Sequence, residues 1–341
     1  MKQKAHAWVA LRAFKLIDDL GKAPKLVELL SWYLSDAWEG AWLPDTLIVD
    51  MSYGHIFKMD SDPAKIGEKV IGDRFKISHR ELDRKLRGKR LCLNYIKDSE
   101  ELKKPYKSPD EGGQLPQRVI ALSHSISDML KLSDFPLALY ARKKTPKAYK
   151  KDLSAQNIQS LSFSPNFSAR HIALTFFLLS HYICDAHMPL HCDFRDFSSR
   201  YSKRRRLPAK LHPSIEKKWE VCFPDKDVLA LHKYSKISID KAVAKLPRGS
   251  LIEIDSNKKY ALSTKKRQLS TIKHNEEREM NYVTKVSYAA SRKWIDKPYK
   301  DVNELIRKNS EEFKEVTNFI FHDAVECVAR VWLKAWERFV G

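Results

Sequence analysis

Three histidines and an aspartate lie close together in the run His181-Tyr-Ile-Cys-Asp185-Ala-His187-Met-Pro-Leu-His191. His181 and Asp185 are four residues apart and therefore project from the same face of a helix. Pro189 disfavours continuation of that helix, so we expect His191 just beyond its end. Neutral imidazole and carboxylate are common zinc ligands where thiolates are absent, and burying them without a metal would be costly. The spacing predicts a metal site, and such a site suggests hydrolysis.

A histidine four residues before an acid recurs along the chain. With 12 His and 43 acidic residues among 341, chance gives roughly 1.5 such pairs. The sequence contains His79–Asp83, His124–Asp128, His181–Asp185, His212–Glu216 and His322–Glu326. We interpret the pairs at His79, His124 and His322 as weak ion pairs on helix surfaces. The pair at His181 differs, because its segment is apolar and a further histidine follows at once.

Other segments supply further candidate ligands. His212 lies 21 residues after His191, and a helix, a loop and a second helix would bring these two residues face to face. His6 is at the start of the first apolar helix, and Asp45 and His55 flank a segment with few other side chains able to bind metal. Each residue alone is compatible with an ordinary buried or surface polar group, but together they favour a metal site.

The charge of the chain favours anionic partners. The formal net charge is +20 and the pI is about 9.6. Such a surplus attracts nucleic acid, anionic lipid head groups or phosphorylated small molecules, without choosing among them. Arg204, Arg205 and Arg206 lie in a basic loop at 197–211 and are candidates for substrate binding; a solvated loop is the alternative.

Cysteine usage and the absence of targeting signals bear on location. The five cysteines, at 92, 184, 192, 222 and 327, form no C-x-x-C pair, and their odd number argues against a disulfide framework. Cys184 and Cys192 flank the His/Asp run as either soft ligands or small packing residues. We see no transmembrane segment and no signal peptide. We therefore expect a cytoplasmic protein by default, or a secreted one if the chain is a processed form.

Helices are predicted to carry most of these residues. Apolar residues recur at helical spacing over 5–20, 25–38, 116–132, 168–188, 212–232 and 301–340, and 64–110 is charged and mostly helical in pattern. Segment 168–188 is apolar all round, as is typical of a central core helix. A polar insertion occupies roughly 233–300, and its alternation at 250–263 is compatible with a small β-hairpin. The sequence predicts a mainly α, single domain over 1–341.

The spacing of these residues resembles that in a known superfamily. His181-x3-Asp185-x5-His191 looks like the central motif of the zinc-dependent phospholipases C and single-strand-specific zinc nucleases. The later His212-x3-Glu216 is similar to the next ligand pair of that superfamily.

Two amino-terminal segments extend the resemblance. HAWVALRAFKLI is similar to the family's first helix, which opens with a zinc-binding histidine, here His6. GAWLPDTLIVDMSYGHIF is similar to the segment that supplies an aspartate and then a histidine, here Asp45 and His55. The resemblance spans residues 1–60 and 168–220, and the Gly-Ala-Trp-Leu-Pro-Asp form is closer to the phospholipase C branch.

The resemblance implies an all-α bundle of the phospholipase C and zinc nuclease type that holds two to three zinc ions. One ion would be bound by Asp45, His55, His181 and Asp185, a second by His191, His212 and Glu216, and a third by His6, by Asp185 as a bridge, and by the amino group and carbonyl of Met1. Asp45 would also orient or deprotonate the attacking water. His187 is not a ligand position of the family, and we expect it to support the ligands. The chain departs from the family in having Met1 where Trp is usual, and in its short step from Asp45 to His55.

The function that the resemblance implies is hydrolysis of a phosphodiester by a metal-activated water, as in phospholipase C. Two alternatives stay open: a zinc-dependent single-strand nuclease, which the charge of +20 favours, and a non-catalytic zinc-containing binding protein on the same scaffold. The expected partner is an anionic phosphodiester substrate, either a phospholipid head group or nucleic acid. We infer no obligate protein partner.

Overall fold

A computed structural model describes residues 1–48, 54–58, 115–133, 167–193, 207, 210–232, 234–244 and 310–340, together with single positions between 276 and 304. The described α-helices are α1 (Gln3–Asp19), α2 (Pro24–Ser31), α3 (Ala37–Gly40), α4 (Leu115–Leu132), α5 (Ala169–His187), α6 (Leu211–Glu220), α7 (Lys226–Leu229), α8 (Lys236–Ala244) and α9 (Ser310–Val340). Short 3-10 helices span Leu34–Asp36 and Pro189–His191, and a π-helical turn spans Pro44–Ile48. The described part of the chain contains helices and no β-strand, so the predicted all-α class is confirmed for it.

Helix α5 lies at the centre of a bundle formed with α1, α4 and α9. Aromatic side chains fill the space between these helices: the rings of Phe176 and Phe177 lie 5.7 and 5.9 Å from that of Trp332. Trp8 on α1 is fully buried and contacts Phe321 on α9 edge-on, with ring centroids 6.4 Å apart. Burying aromatic surface of this size is a major source of stability, and it fixes the helices that carry the candidate ligands.

Local signals set the ends of the central helix. The Ser168 hydroxyl accepts a hydrogen bond from the backbone N–H of His171 and caps the first turn of α5. At the other end Met188 is extended, as the residue before a proline prefers, and Pro189 begins a 3-10 turn. The predicted helix at 168–188 is therefore confirmed, with His191 just beyond it as expected.

Helix α1 ends in a glycine-dependent motif. Gly21 adopts φ +60°, a left-handed conformation that glycine takes without steric cost. Its N–H donates to the carbonyl of Asp18, and the N–H of Lys22 donates to the carbonyl of Ile17. The prediction of a helix over 5–20 is confirmed.

Two predicted helices are shorter than their patterns suggested. The segment 25–38 breaks after Ser31 into a 3-10 turn and the short helix α3. The segment 212–232 stops as helix at Glu220, and α7 follows after an interruption that contains Pro224. In both places, apolar residues keep their helical spacing through a turn. Tertiary packing buries these residues although the helix has ended, so the spacing alone does not show where the helix stops. The other two predictions hold, with α4 at 116–132 and α9 covering most of 301–340.

Several sequence predictions lie outside the described residues. These are the helical pattern at 64–110, the β-hairpin at 250–263, the pair His79–Asp83 and most of the basic loop at 197–211. Among the described helices, none is both long enough and apolar enough to cross a lipid bilayer.

Candidate metal centre

Six segments bring the candidate ligands to one place beside the C-terminal half of α5. Helix α1 supplies His6, the π-helical turn supplies Asp45, segment 54–58 supplies His55, α5 supplies His181 and Asp185, the 3-10 turn after it supplies His191, and α6 supplies His212 and Glu216. Their ligand atoms form three groups, and within each group the atoms lie within 4.8 Å of one another. The groups are His6–His181–Asp185, Asp45–His55–His181 and His191–His212–Glu216.

Asp185 connects the three groups because its two oxygens face different ligands. Its Oδ2 lies 3.2 Å from His181 Nε2 and 3.8 Å from His55 Nε2. Its Oδ1 lies 3.5 Å from His6 Nε2 and 3.6 Å from His191 Nδ1. A carboxylate with its oxygens directed at separate sets of donors is suited to bridge two metal ions.

The first group is centred on Asp45. Its Oδ1 lies 3.1 Å from His55 Nε2 and 3.5 Å from His181 Nε2. The His55 and His181 rings meet edge-on with centroids 4.9 Å apart. Two imidazole nitrogens therefore converge on one carboxylate oxygen, an arrangement that a metal ion between them would complete.

His6 joins the site by stacking on His181. The two rings are nearly parallel, with an interplanar angle of 16° and centroids 4.0 Å apart. His6 is fully buried. Trp42 lies against both rings, with centroids 5.8 Å from His6 and 6.1 Å from His181, so the first two turns of α1 and the segment after α3 close this side of the site.

The remaining group lies between α6 and the end of α5. His212 Nε2 is 3.2 Å from Glu216 Oε1, as expected for residues four apart on one helix. His191 Nε2 is 4.0 Å from the same oxygen, and the His191 and His212 rings meet with centroids 4.9 Å apart. The predicted approach of these two elements across the basic loop is present in the structure.

The amino nitrogen of Met1 is also in the site. It lies 3.1 Å from Asp185 Oδ1 and 2.8 Å from Glu216 Oε1, and Met1 is buried. The nitrogen therefore lies between two carboxylates that belong to different ligand groups.

The electrostatics of the cluster keep its acids ionised. Burial by itself raises the pKa of a carboxyl group. At Asp185 the Met1 amino group and the histidines outweigh burial and hold the pKa well below its usual range. The pKa of Glu216 is lowered in the same way by the amino group and His212, and that of Asp45 is lowered by the adjacent rings of His181 and His55.

Four of the candidate nitrogen ligands divide into two kinds by the direction of their pKa shifts. Burial lowers the pKa of His6 well below its ordinary value and that of His191 to about 3, so both rings are neutral. Burial lowers the pKa of His181, but the carboxylate of Asp185 outweighs it and raises the pKa to about 9. Burial likewise lowers the pKa of the Met1 amino group, but Asp185 and Glu216 outweigh it and raise the pKa to about 11. A metal ion would have to displace protons from the second pair.

Hydrogen bonds to backbone carbonyls orient the ring of His181 and hold together the segments that carry His55 and His191. The carbonyl of Ala41 accepts a hydrogen bond from His181 Nδ1 over 2.8 Å, which directs Nε2 of this ring toward Asp45 and Asp185. The carbonyl of His191 accepts from the backbone N–H of Phe57 over 3.0 Å. The buried Lys58 ammonium donates to the carbonyl of Leu190. These last two bonds hold the segment of His55 against the turn of His191.

The residues present fit a metal ion. Both ring nitrogens of His6, Nε2 of His181 and Nδ1 of His191 are buried and have no hydrogen-bond partner in the described part of the chain. An unsatisfied buried polar group costs about 1–3 kcal/mol, so several of them around ionised carboxylates would be unfavourable unless another group binds there. Nitrogen and oxygen donors in groups of three or four are a donor set for a divalent metal.

The flanking cysteines are packing residues. Cys184 and Cys192 are fully buried, and burial raises the pKa of both thiols, so they stay protonated. The Cys192 thiol donates to the carbonyl of Ala186 over 3.5 Å. Of the two roles left open for these residues, the structure favours packing.

Some sequence interpretations differ from what the structure shows. His187 does not support a ligand directly: its ring bonds to the carbonyl of Ile183 and to Asp323, so it connects α5 with α9. Asp128 pairs with Lys131, and Glu326 pairs with Arg330. Arg204, Arg205 and Arg206 lie outside the described residues.

Sequence reasoning missed two contributors to the site, the Ala41 carbonyl and Trp42, and one residue beside it, Glu220. The Ala41 carbonyl is a backbone group, so no residue type signals it. Trp42 lies within the quoted GAWLPD segment, and its aromatic character just before Asp45 was the available signal. Glu220 lies one helical turn after Glu216, a spacing that places both on one face of α6.

Comparisons of the chain with protein-family models, with curated proteins and with solved structures find no significant match. What the cluster does must therefore be argued from its own residues and geometry.

Proposed function

We propose that this protein is a zinc-dependent phosphodiester hydrolase similar to the phospholipases C. The observation that carries the proposal is the arrangement around Asp185, whose two oxygens face different groups of histidines and connect all three candidate sites. Zinc is the metal that best suits a mixed set of imidazole and carboxylate ligands without thiolate. A set of sites linked by one bridging carboxylate is typical of enzymes that cleave phosphate esters.

Each zinc ion has a proposed set of ligands. Asp45, His55, His181 and Asp185 would hold one ion, His191, His212 and Glu216 a second, and His6, Asp185 and the amino group and carbonyl of Met1 a third. When bound, the ions would neutralise charge on the phosphoryl oxygens and make water more acidic. The protein's own contribution is to keep the carboxylates ionised and the rings of His6 and His191 neutral, whereas metal binding would displace protons from His181 and Met1.

Asp45 is the proposed catalytic residue. Its side chain is 13% exposed, whereas those of His181 and Asp185 are 0% and 2% exposed, so water can reach Asp45 from outside. The lowered pKa of Asp45 keeps it charged near neutral pH but makes it a weak base. Its favoured role is therefore to orient the attacking water through a hydrogen bond, besides binding metal.

A metal count combined with a turnover assay tests the proposal. Purified protein should contain two to three zinc ions by elemental analysis and should hydrolyse bis(p-nitrophenyl) phosphate. A chelator should abolish the activity, and added zinc should restore it. Full zinc content with no turnover on phosphodiesters would instead favour the non-catalytic binding protein, and protein that is active without metal would overturn the proposal.

The net charge of +20 favours a second candidate, a single-strand nuclease. Polynucleotide binding depends steeply on salt because counterions are released, with a slope that grows with the number of phosphates contacted. Turnover on single-stranded DNA and on phosphatidylcholine vesicles should be compared at several salt concentrations. Turnover on DNA with a steep slope would favour the nuclease, and turnover on vesicles alone would favour the phospholipase.

A further inference from the structure

Helix α6 presents two carboxylates, one turn apart, to the beginning of α1. Glu216 Oε1 lies 2.8 Å from the amino nitrogen of Met1 and belongs to the metal centre. Glu220 Oε1 accepts a hydrogen bond of 3.1 Å from the backbone N–H of Lys4. The same face of α6 therefore contacts both the first residue and the first turn of α1.

Helix α1 lacks a cap of its own. The residue at its N-cap position is Lys2, which makes no capping bond through its side chain, and the first turn contains no acidic residue. The amides of Lys4 and Ala5 are those that an N-cap side chain normally satisfies. The amide of Lys4 donates to Glu220 Oε1 over 3.1 Å, so a carboxylate from another helix takes the place of the missing cap at this amide and lies at the positive end of the helix dipole.

The capped turn leads directly into a candidate metal ligand. His6 follows Ala5, and its backbone N–H makes an early helical bond of α1, to the carbonyl of Lys2. Its ring must reach Asp185 Oδ1, now 3.5 Å away, while stacking on His181. A shift of the first turn by one ångström would change both relationships.

Helix α6, which carries Glu220, is itself anchored to the core. The neighbouring Trp219 is buried, and its indole N–H donates to the hydroxyl of Thr317 on α9 over 3.0 Å. Helix α6 is thus anchored to the core, and Glu220 can transmit that position to α1.

We infer that Glu220 is a positioning residue of the metal centre: by capping α1 from α6 it holds His6 and the nitrogen of residue 1 at the ion bridged by Asp185. The inference rests on the proposed zinc-dependent function. It adds a residue that does not bind metal itself but sets the affinity of one ion among the three.

The chain offers a matched control in Asp225. This residue also contacts Lys4, but through the side-chain ammonium, and its own side chain is 82% exposed. Removing Asp225 removes a charge near the same lysine without touching the backbone amides. A general electrostatic effect on Lys4 would appear in both variants, whereas a capping effect would appear only at Glu220.

The test compares wild type, Glu220→Ala, Glu220→Gln and Asp225→Ala. Zinc content and zinc affinity are measured by chelator competition, and amide exchange of the peptide that begins at residue 1 is measured on the metal-free proteins. In Glu220→Ala we expect the weakest-bound ion to lose ~10- to 100-fold in affinity, the range for residues that orient ligands, with faster exchange at the amide of Lys4. Glu220→Gln keeps an acceptor and should recover most of the affinity, and Asp225→Ala should resemble wild type.

Each outcome decides a different point. Zinc-free wild type would overturn the proposed function and this inference together. If wild type contains zinc and Glu220→Ala binds zinc with the same affinity, the inference alone is overturned. This holds even if amide exchange in the first turn of α1 is faster, because a cap that does not affect zinc binding is only structural. If Glu220→Ala does not fold, Glu220→Met replaces it, because methionine keeps the length of the side chain but has only a weak sulfur acceptor. Zinc affinity equal to that of Asp225→Ala would then contradict the positioning role.

Discussion

The ring of His181 donates its Nδ1 hydrogen to the backbone carbonyl of Ala41, 2.8 Å away. A carbonyl oxygen can only accept, so this bond fixes which nitrogen faces the carboxylates of the site. The neighbouring Gly40 permits the approach. A Cβ atom at this position would lie 2.9 Å from Cβ of Phe177 on α5, closer than such atoms pack. The geometry of the candidate metal site therefore depends on a residue with no side chain.

The first prediction concerns Gly40→Ala. The added methyl group should push α3 away from α5 and lower the free energy of unfolding by about 1–3 kcal/mol. It should also weaken zinc binding, because the Ala41 carbonyl would move away from the His181 ring that it orients. Gly21→Ala is the control: it is strained by its φ of +60° but has nothing within 4 Å of the added atom. It should lose about 1 kcal/mol with zinc affinity unchanged. Equal zinc affinities in the two variants would contradict the role of Gly40.

The second prediction concerns His181→Ala. This ring belongs to two of the three ligand groups, so its loss should lower zinc content by at least about one ion and lower the thermal stability of the zinc-loaded protein, since metal binding and folding are coupled. Elemental analysis and a melting curve with and without chelator measure both effects. His124→Ala, on the exposed surface of α4 and also four residues before an acid, should change neither.

The third prediction concerns Asp45→Asn. Asparagine keeps the shape of the side chain but loses the charge that orients water, so turnover on a phosphodiester should fall by at least ~10²-fold. Zinc content is measured on the same sample, because Asp45 is also a proposed ligand. Asp36→Asn makes the same change at a carboxylate that pairs with Arg170 and should retain full turnover. Undiminished turnover in Asp45→Asn with full zinc content would refute the catalytic role.

The fourth prediction concerns the amino terminus. The nitrogen of Met1 lies between Asp185 and Glu216, and an amine binds metal through a lone pair that an amide bond removes. A tag left in place before Met1 should therefore lower zinc content by about one ion and reduce turnover, whereas a tag after residue 341 should do neither. Equal zinc content and turnover in the two tagged proteins would show that the third ion, if present, is held by other groups.

The fifth prediction concerns a buried ion pair far along the chain from the proposed ligands. Glu276 is 4% exposed, accepts a hydrogen bond from the Ser123 hydroxyl over 2.6 Å, and is bonded by Arg338. Burial raises the pKa of this carboxyl, but the hydrogen bonds outweigh it and lower the pKa below its ordinary value. The stabilisation is therefore present above the ordinary pKa of about 4.3 and is lost as the pH falls through the lower folded value.

Glu276→Gln should accordingly lower the free energy of unfolding by about 1–3 kcal/mol at neutral pH, and the difference from wild type should shrink in acid. Urea unfolding at several pH values measures it. Glu337→Gln provides the control, because Glu337 pairs with Lys334 on the surface with 55% of its side chain exposed. That change should stay within about 0.5 kcal/mol. A constant difference across the pH range would contradict the assignment.

Residue types and spacing, together with the resemblance to a known superfamily, pointed to side chains that the structure brings together at the candidate site. His181, Asp185 and His191 are close in sequence, and a helix followed by a proline places them together without any long-range information. The helices α1, α4 and α5 follow from apolar periodicity and end signals such as Ser168 and Gly21, which act within a few residues.

Only the tertiary structure decided how these residues are used. Contacts between distant segments determine that Asp185 faces ligands with both oxygens, that Ala41 orients His181, and that Glu220 caps α1. The role of His187 was misjudged for the same reason, since its partner Asp323 is 136 positions away. Periodicity reports which face of a helix is buried but not which segment covers it, because burial energy has no direction whereas hydrogen bonds and metal ligands require specific partners.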